Sequence, residues 1–279
     1  MVSTFAEAAS AQGDALPLPQ QLIRLDLGRF RAYRENLEFY QGRQWLEPQR
    51  RRERRLTFNY AKTVIEKTAS YLMSSVSFIV EPEDASPEAL ESARRAERAI
   101  REVYEANSLD QLDFDNEIDC SILGDAVYKV TWDPLERRVR VSAPDVQGLY
   151  AWWLGDDPSR VWRVTSRYVL DHEEAEMLFG SLPRSRKSEH AIVEAWTESD
   201  FQLWLDGALW EERANPYGFI PFVIYPNLRE PKQFWGISDL AALKEPLREL
   251  NRAVSQLSLI LELSGNPIAV LENITEAQD

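Results

Sequence analysis

The sequence predicts an α+β protein in which several helices come first, antiparallel strands follow, and one long helix comes last. Three patterns support this order. Apolar residues recur at helical spacing between residues 21 and 123, apolar and polar residues alternate between 125 and 226, and leucines return at helical spacing from 237 to 264. Because helices and strands occupy separate parts of the chain, an α+β arrangement is favoured over an alternating α/β fold.

The first part of the chain is predicted to be helical after a polar start. Residues 1–20 are rich in Ala, Gln and Pro without periodicity, which is typical of a mobile tail. The predicted helices cover residues 21–41, 59–73, 86–106 and 109–123. Ser86 followed by Pro87 is a favourable helix start, and Gly124 is a favourable helix end. Between the second and third helices, the run Val76–Val80 is β-like.

The middle part of the chain is predicted to form antiparallel strands joined by turns. The predicted strands cover residues 126–132, 137–142, 150–154, 161–170, 191–198, 201–205, 208–212 and 220–225. Asp133-Pro134 marks the first turn, and Asp206-Gly207 is among the strongest short hairpin signals. A short helix is predicted over residues 173–179.

The last helix is the most informative element. Ser238 and Asp239 are a favourable start, and Gly265 with Pro267 predicts its end after Ser264. One edge of this helix carries apolar residues spaced alternately three and four apart. They are Leu240, Leu243, Leu247, Leu250, Val254, Leu257 and Leu261. This three-heptad seam predicts a partner helix along its length, whereas a helix buried in its own core usually shows a broader apolar stripe.

The opposite side of the same helix is charged. It carries Lys244, Glu245, Arg248, Glu249 and Arg252. A narrow apolar edge with a charged remainder suits a helix that stands in a bundle or a ring. Pro246 lies within the first turns and predicts a kink or a late effective start.

Composition excludes several classes of protein. The 279 residues include 32 Lys and Arg against 46 Asp and Glu, so the net charge is 32 − 46 = −14. A protein that grips nucleic acid normally has a basic surface, because neutralised phosphates supply most of its affinity. No apolar run reaches the ~20 residues of a membrane helix, and the start does not resemble a secretory signal. The single Cys120 excludes an intramolecular disulfide, and no glycine-rich phosphate-binding loop occurs.

An acidic cluster is the first candidate for chemistry. Its members are Asp110, Asp113, Asp115, Glu117 and Asp119. The spacing superficially resembles a calcium loop, but the glycine at the sixth position is missing and apolar residues interleave at helical spacing. We therefore expect an exposed acidic helix face, and keep as the alternative a metal-dependent hydrolase that uses Asp110, Asp113 and Asp115. With only two His, a His-rich metal centre cannot be built from one chain, so no catalytic residue, metal or cofactor is predicted.

A basic loop is the second candidate. It comprises Arg50, Arg51, Arg52, Arg54 and Arg55. A solvated loop and a contact with the acidic surface of another copy are equally favoured interpretations. Contact with a nucleic-acid backbone ranks below both, because the rest of the chain is so acidic.

Three stretches of the sequence resemble a known family, the portal proteins of tailed bacteriophages of the siphophage type. The first runs from Tyr33 through Gln44-Trp45 to Asn59-Tyr60. The second is Ser121-Ile-Leu-Gly-Asp125 with the residues up to Tyr150. The third is Asn215-Pro-Tyr-Gly218, followed by Gly236-Ile-Ser-Asp239 and Asn251-x-x-x-Ser255. Each motif is weak alone, and their order and spacing carry the likeness.

The resemblance implies a portal fold and a structural role without enzymatic activity. Residues 21–236 would form a mixed wing domain, 237–264 a stem helix, and 265–279 the start of a clip. Portals form rings, usually of twelve copies, at one capsid vertex, where they act as the head–tail connector. DNA enters through the ring during packaging and leaves during infection. The implied partners are terminase, capsid, and head-completion or tail adaptor proteins, in the virion and in the host cytoplasm during assembly.

The resemblance also gives the last helix two roles. Family members continue through the clip into a second stem helix, so we expect a longer protein whose second stem helix packs on the leucine seam. The charged side would face the channel, where acidic residues repel DNA phosphates or a mixed-charge wall contacts them briefly. A generic adaptor that binds another protein through the seam is the remaining alternative.

Overall fold

The computed structural model describes residues 17–49, 53–73, 76–180 and 188–265, and it is an α+β fold. Its helices are α1 Leu18–Leu22, α2 Leu27–Tyr40, α3 Tyr60–Leu72, α4 Pro87–Ala106, α5 Leu109–Leu123, α6 His172–Phe179 and α7 Leu240–Gly265. Its strands are β1 Asp125–Asp133, β2 Arg138–Ser142, β3 Leu149–Leu154, β4 Asp157–Asp171, β5 Glu189–Thr197, β6 Asp200–Leu205, β7 Ala208–Ala214 and β8 Phe222–Pro226.

The strands form two antiparallel sheets. One is a meander in which β3 to β7 lie in chain order. The other has the order β2-β1-β8, so β8 returns from far along the chain to pair with β1. This return brings the chain back beside α5 immediately before α7 begins, and it thereby positions the last helix.

Several predicted boundaries are confirmed, and each has a local cause. Asn59 and Ser86 cap α3 and α4, because their side-chain oxygens accept hydrogen bonds from backbone N–H groups three residues later. Gly124 ends α5 with φ of 105°, a conformation that favours glycine. Asp206 and Gly207 both have positive φ, as a two-residue hairpin between β6 and β7 requires.

Two predictions near the start of the chain are wrong. The predicted helix 21–41 is two helices, because Asp26 adopts a left-handed conformation with φ of 53° and separates α1 from α2. Part of the predicted tail is also ordered. Leu18 and Leu22 are buried against β3 and β5, since they pack beside Tyr150 and Val193. Residues 1–16 lie outside the described residues.

The run Val76–Val80, β-like in sequence, is not paired with any described strand. The Phe78 ring packs edge-on against Tyr104 at 5.1 Å between centroids. Ile79 is 82% exposed. The segment therefore packs on α4 and does not pair with any described strand of its own chain, despite its β-like composition.

The main core lies where α2, α3, α5 and the start of α7 meet the β2-β1-β8 sheet. Phe39, Ile65, Ile122, Val127 and Leu240 are among its buried members, each no more than 2% exposed. The two faces of the five-stranded sheet bury two further clusters. Among the described residues, no helix is both long and apolar enough to cross a membrane.

Candidate functional site: the last helix and the residues that hold it

The first turn of α7 is hydrogen-bonded to the end of α5. The Ser238 hydroxyl donates to the Ser121 carbonyl at 2.9 Å and accepts from the Leu240 N–H at 3.1 Å. The Asp239 N–H also donates to the Ser121 carbonyl, at 3.1 Å. Asn227, just after β8, donates its amide to the Asp239 carboxylate at 2.9 Å. The predicted helix start is thus confirmed. The capping residues Ser238 and Asp239 also attach α7 to the end of α5.

Two glycines allow this junction to close. A Cβ on Gly236 would lie 2.4 Å from the Gly124 carbonyl oxygen and 2.6 Å from the Pro226 Cβ. A Cβ on Gly124 would lie 2.8 Å from the Ser238 nitrogen. Both positions therefore require glycine for a close approach of two backbones. The stretches Ser121–Asp125 and Gly236–Asp239, far apart in sequence, form one joint.

Asp125 is the buried centre of the same joint. Its carboxylate accepts hydrogen bonds from the Gly236 N–H at 2.8 Å and from the Tyr33 hydroxyl at 2.5 Å. Burial raises the pKa of Asp125, and the hydrogen bonds from Tyr33 and Gly236 oppose that rise. Nearby, the Arg29 guanidinium lies 3.7 Å above the Trp235 ring and donates to the Leu149 carbonyl at 2.6 Å. The sequence analysis included Asp125 in a resembling stretch without giving it a role, and it did not single out Arg29, since a single buried Arg leaves no periodic signal.

Further along, α7 is held by an extended strap, residues 54–59, that runs antiparallel to it. The Asn251 amide bridges two elements: its oxygen accepts from the Phe58 N–H at 2.8 Å, and its nitrogen donates to the Gln44 side-chain oxygen at 2.6 Å. One turn later, the Ser255 hydroxyl accepts from the Leu56 N–H at 2.9 Å. Asn251 and Ser255 are buried, so the inward line of this half of α7 is polar.

The described part of the predicted basic loop binds its own chain. Arg54 forms an ion pair with Glu262 near the end of α7. Arg55 pairs with Glu53 at 2.9 Å, and its guanidinium lies over the Trp45 ring at 4.8 Å. These two arginines therefore fasten the strap. Arg50, Arg51 and Arg52 lie outside the described residues, so their predicted contact with another copy stays a prediction.

The predicted leucine seam divides into two halves. Leu240, Leu243 and Leu247 pack into the core of their own chain. Leu250, Leu257 and Leu261 are 38%, 53% and 63% exposed, and Val254 between them is half-buried. The division follows from geometry: at 100° per residue, Leu250 lies about a quarter-turn around the helix from Asn251. The strap covers the side of α7 that carries Asn251 and Ser255, so the apolar flank formed by Leu250, Leu257 and Leu261 lies beside the strap and is left exposed.

The predicted channel-facing charges also separate into two groups. Arg248 is turned toward α2: its guanidinium lies 5.3 Å from the Phe39 ring, and its Nε donates to the Gln44 carbonyl at 3.3 Å. Lys244 is half-buried, and burial lowers its pKa. Glu245, Glu249 and Arg252 remain exposed. Fewer charged side chains of α7 are therefore exposed than the sequence predicted. Among the exposed ones, Glu249 and Arg252 form an ion pair at 2.9 Å.

A comparison with protein-family models identifies the relatives of this chain. The model for phage portal proteins, SPP1 Gp6-like, matches residues 22–279. The chain belongs to the phage portal protein family. The search of curated proteins gave no match. The match confirms the resemblance, and it covers every element described above except the first four residues of α1.

The portal fold explains why the resembling motifs are spaced as they are. Gln44, Asn59, Asn251 and Ser255 come from opposite ends of the chain and meet in one hydrogen-bonded network, where the Gln44 amide donates to the Asn59 oxygen at 3.0 Å. A third motif forms a turn in which Asn215 donates its amide to the carbonyls of Thr197 and Phe219. These residues position the last helix and the sheets, which accords with a structural family.

The aspartates of the acidic cluster are held by neighbouring side chains, and the Tyr104 hydroxyl lies within hydrogen-bond distance of both Asp110 and Asp113, the latter at 3.2 Å. Asp110 accepts from the Tyr104 hydroxyl at 3.0 Å, Asp113 from the Tyr128 hydroxyl at 2.7 Å, and Asp115 from Gln111 at 2.8 Å. Within the described ranges, no group of three or more His, Cys, Asp or Glu side chains is arranged to hold a metal ion. The hydrolase alternative therefore has no assembled site to support it in this part of the chain.

Proposed function

We propose that this portal protein is the subunit of a ring-shaped channel at one capsid vertex, through which DNA is packaged and later ejected, and onto which the tail is joined. The observation that carries the proposal is the division of α7 into three surfaces. One binds the wing through Asn251 and Ser255, one is an exposed apolar flank, and one is charged. A helix so fixed presents two different surfaces to two different neighbours.

The apolar flank fits a contact between copies or with a second stem helix. Leu250, Leu257 and Leu261 form a sideways row, and a helix row of this kind is buried by packing against another helix. A head-to-tail contact repeated around an axis closes into a ring when the rotation closes. Twelve copies, the usual number in the family, is the number we propose. Terminase, capsid and tail adaptor proteins are the proposed partners, at the virion vertex and in the host cytoplasm during assembly.

The charged flank fits a channel wall. Glu245, Glu249 and Arg252 project from the side of α7 that the strap leaves open. With a net charge of −14 per chain, a wall dominated by carboxylates repels phosphates, so DNA passes without stable binding. The pair formed by Glu249 and Arg252 provides the mixed-charge element of this wall.

Mass photometry and negative-stain electron microscopy of the complete gene product test the proposal. We expect ring-shaped particles near twelve copies. The double variant Leu250→Glu with Leu257→Glu should prevent ring formation, because two carboxylates would be buried at the contact. Arg252→Glu changes the net charge by the same two units on the other flank, and should leave the rings intact. A complete gene product that stays monomeric would overturn the proposal.

A further inference from the structure

A groove of about 870 Å³ lies outside the last helix, along the edge of the smaller sheet. Its floor is apolar, with Trp162 from β4, Phe219 before β8, and Phe234 before α7. Four of the five residues of β8 line one side, namely Phe222, Val223, Ile224 and Pro226. Because β8 pairs with β1 alone among the described strands, the groove runs beside a free sheet edge.

The register shows which backbone groups of β8 face this groove. The Val130 N–H donates to the Pro221 carbonyl at 3.0 Å, and the Asn227 N–H donates to the Gly124 carbonyl at 2.9 Å. Since bonded pairs alternate along an antiparallel ladder, Val223 and Tyr225 bond toward β1. The N–H and C=O of Ile224 therefore point the other way, toward the groove.

The same chain carries a segment suited to that edge. Four of the five residues of Val76–Val80 are β-branched or aromatic, and the segment belongs to no described helix or strand. It has five residues, the length of β8. Glu81, Glu83 and Asp84 follow it at once.

The charges at the groove match that acidic end. Arg229 follows β8, and Arg160 lies near the tip of the β3–β4 hairpin. This hairpin is held at the groove by the Trp153 ring, which stacks on the Phe234 ring with 4.8 Å between centroids. In the described part of the chain, neither arginine has a carboxylate oxygen within 4 Å, although the charge of Arg160, after the hydrogen bonds from Ser159, helps to lower the pKa of Asp157. Two carboxylates also line the groove. Asp157 is occupied by hydrogen bonds from Ser159, and Glu198 is the other.

We propose that the segment Val76–Val80 of one copy adds as a strand to β8 of the neighbouring copy, with its acidic end beside Arg160 and Arg229. This inference rests on the proposed ring, and it names a wing contact separate from the α7 flank. Donor segment and acceptor edge are different parts of one chain, so such a contact is head-to-tail and repeats from copy to copy. Main-chain hydrogen bonds supply the affinity, and the aromatic floor receives the side chains.

Cysteine cross-linking in the assembled protein tests the contact. Ile79→Cys and Val223→Cys place thiols near the centres of the two partners, at exposed positions. Mild oxidation should give a ladder of covalent multimers, since added strands lie within disulfide reach. The native Cys120 does not interfere, because it is buried. Ile79→Cys combined with Leu135→Cys, on the exposed turn after β1, is the matched control and should give no ladder.

A second variant tests the hydrogen-bonding mode. Ile224→Pro removes the N–H that faces the groove and keeps the bonds of Val223 and Tyr225 to β1. In the double-cysteine background it should reduce the ladder severalfold while the circular dichroism spectrum stays unchanged. Rings without a ladder would overturn the strand contact and leave the proposed function standing. A complete gene product without rings would overturn both.

Discussion

At the scale of single residues, the pair formed by Lys129 and Glu194 joins the two sheets. Lys129 lies on β1 and Glu194 on β5, and both side chains are largely buried. The Glu194 carboxylate also accepts from the Tyr168 hydroxyl at 2.8 Å and the Trp196 indole at 3.1 Å. Lys129→Met should lower the free energy of unfolding by about 3 kcal/mol, because it leaves a buried carboxylate without its counter-charge.

Chemical denaturation measures this loss, and a double variant is its control. Lys129→Met with Glu194→Gln should recover most of the stability, since the Gln oxygen can accept from the Trp196 indole while the Gln NH2 group donates to the Tyr168 hydroxyl oxygen. Equal losses in the single and double variants would contradict a coupled pair.

The same pair gives a pH dependence. Burial alone would raise the pKa of Glu194, but the ammonium of Lys129 and the hydrogen bonds lower it overall. A carboxyl whose pKa is lower in the folded state stabilises the fold above its unfolded pKa of about 4.3, and this contribution is lost as pH falls through the folded pKa. Urea unfolding of the wild type against Glu194→Gln should show a full difference near pH 7 that shrinks in acid below the unfolded pKa. A difference that grows in acid would contradict the assignment.

The glycine joint gives a third prediction at this scale. Gly236→Ala should destabilise the protein by about 2 kcal/mol, because the added methyl would meet the Gly124 carbonyl, a backbone atom that cannot turn aside. Gly28→Ala on α2 is the control: its Cβ would meet nothing within 4 Å, so stability should stay equal or rise by about 0.5 kcal/mol. Thermal unfolding compares the two variants, and equal melting temperatures would contradict the close approach.

At the scale of elements, α3, α4, α5 and the hairpin strands could be predicted because caps, stops and turn residues are local signals. The orientation of α7 could not. Asn251 and Ser255 are polar, so a reading by hydropathy places them outside and places Leu257 inside. The strap reverses this, since the backbone N–H groups of Leu56 and Phe58 require acceptors and find them on α7. The break at Asp26 and the unpaired Val76–Val80 likewise reflect tertiary packing.

The strap gives the prediction at this scale. Asn251→Leu keeps the branched shape of the side chain, though with a larger volume, and leaves the Phe58 N–H and the Gln44 oxygen without partners, so the fold should lose about 2 kcal/mol. Hydrogen exchange should accelerate at the Phe58 amide. Arg252→Leu, the exposed neighbour, should change neither quantity. Unchanged protection of the strap in Asn251→Leu would show that α7 is held by other contacts.

At the scale of the whole molecule, the α+β class and the antiparallel strands were predicted from the sequence, and in the larger sheet β3 to β7 lie as neighbours in chain order. The pairing of β1 with β8 was not predicted, since it joins segments about a hundred residues apart and leaves no local signal. That pairing positions α7, and with it every surface of the proposed site. The portal resemblance links the two segments only because its motifs include both sides of the joint, Ser121–Asp125 and Gly236–Asp239.

Net charge acts at the same scale and gives the last prediction. Glu245→Lys with Glu249→Lys changes the charge per chain by four units, from −14 to −10. On the proposed channel wall, rings of such variants would present lysines to DNA, so binding of a short linear duplex should appear and weaken steeply with salt. Fluorescence anisotropy measures the binding. Glu88→Lys with Glu91→Lys on α4 makes the same change elsewhere on the surface and should bind far less. Equal binding by both variants would mean that total charge, and not the position of the α7 flank, governs contact with DNA.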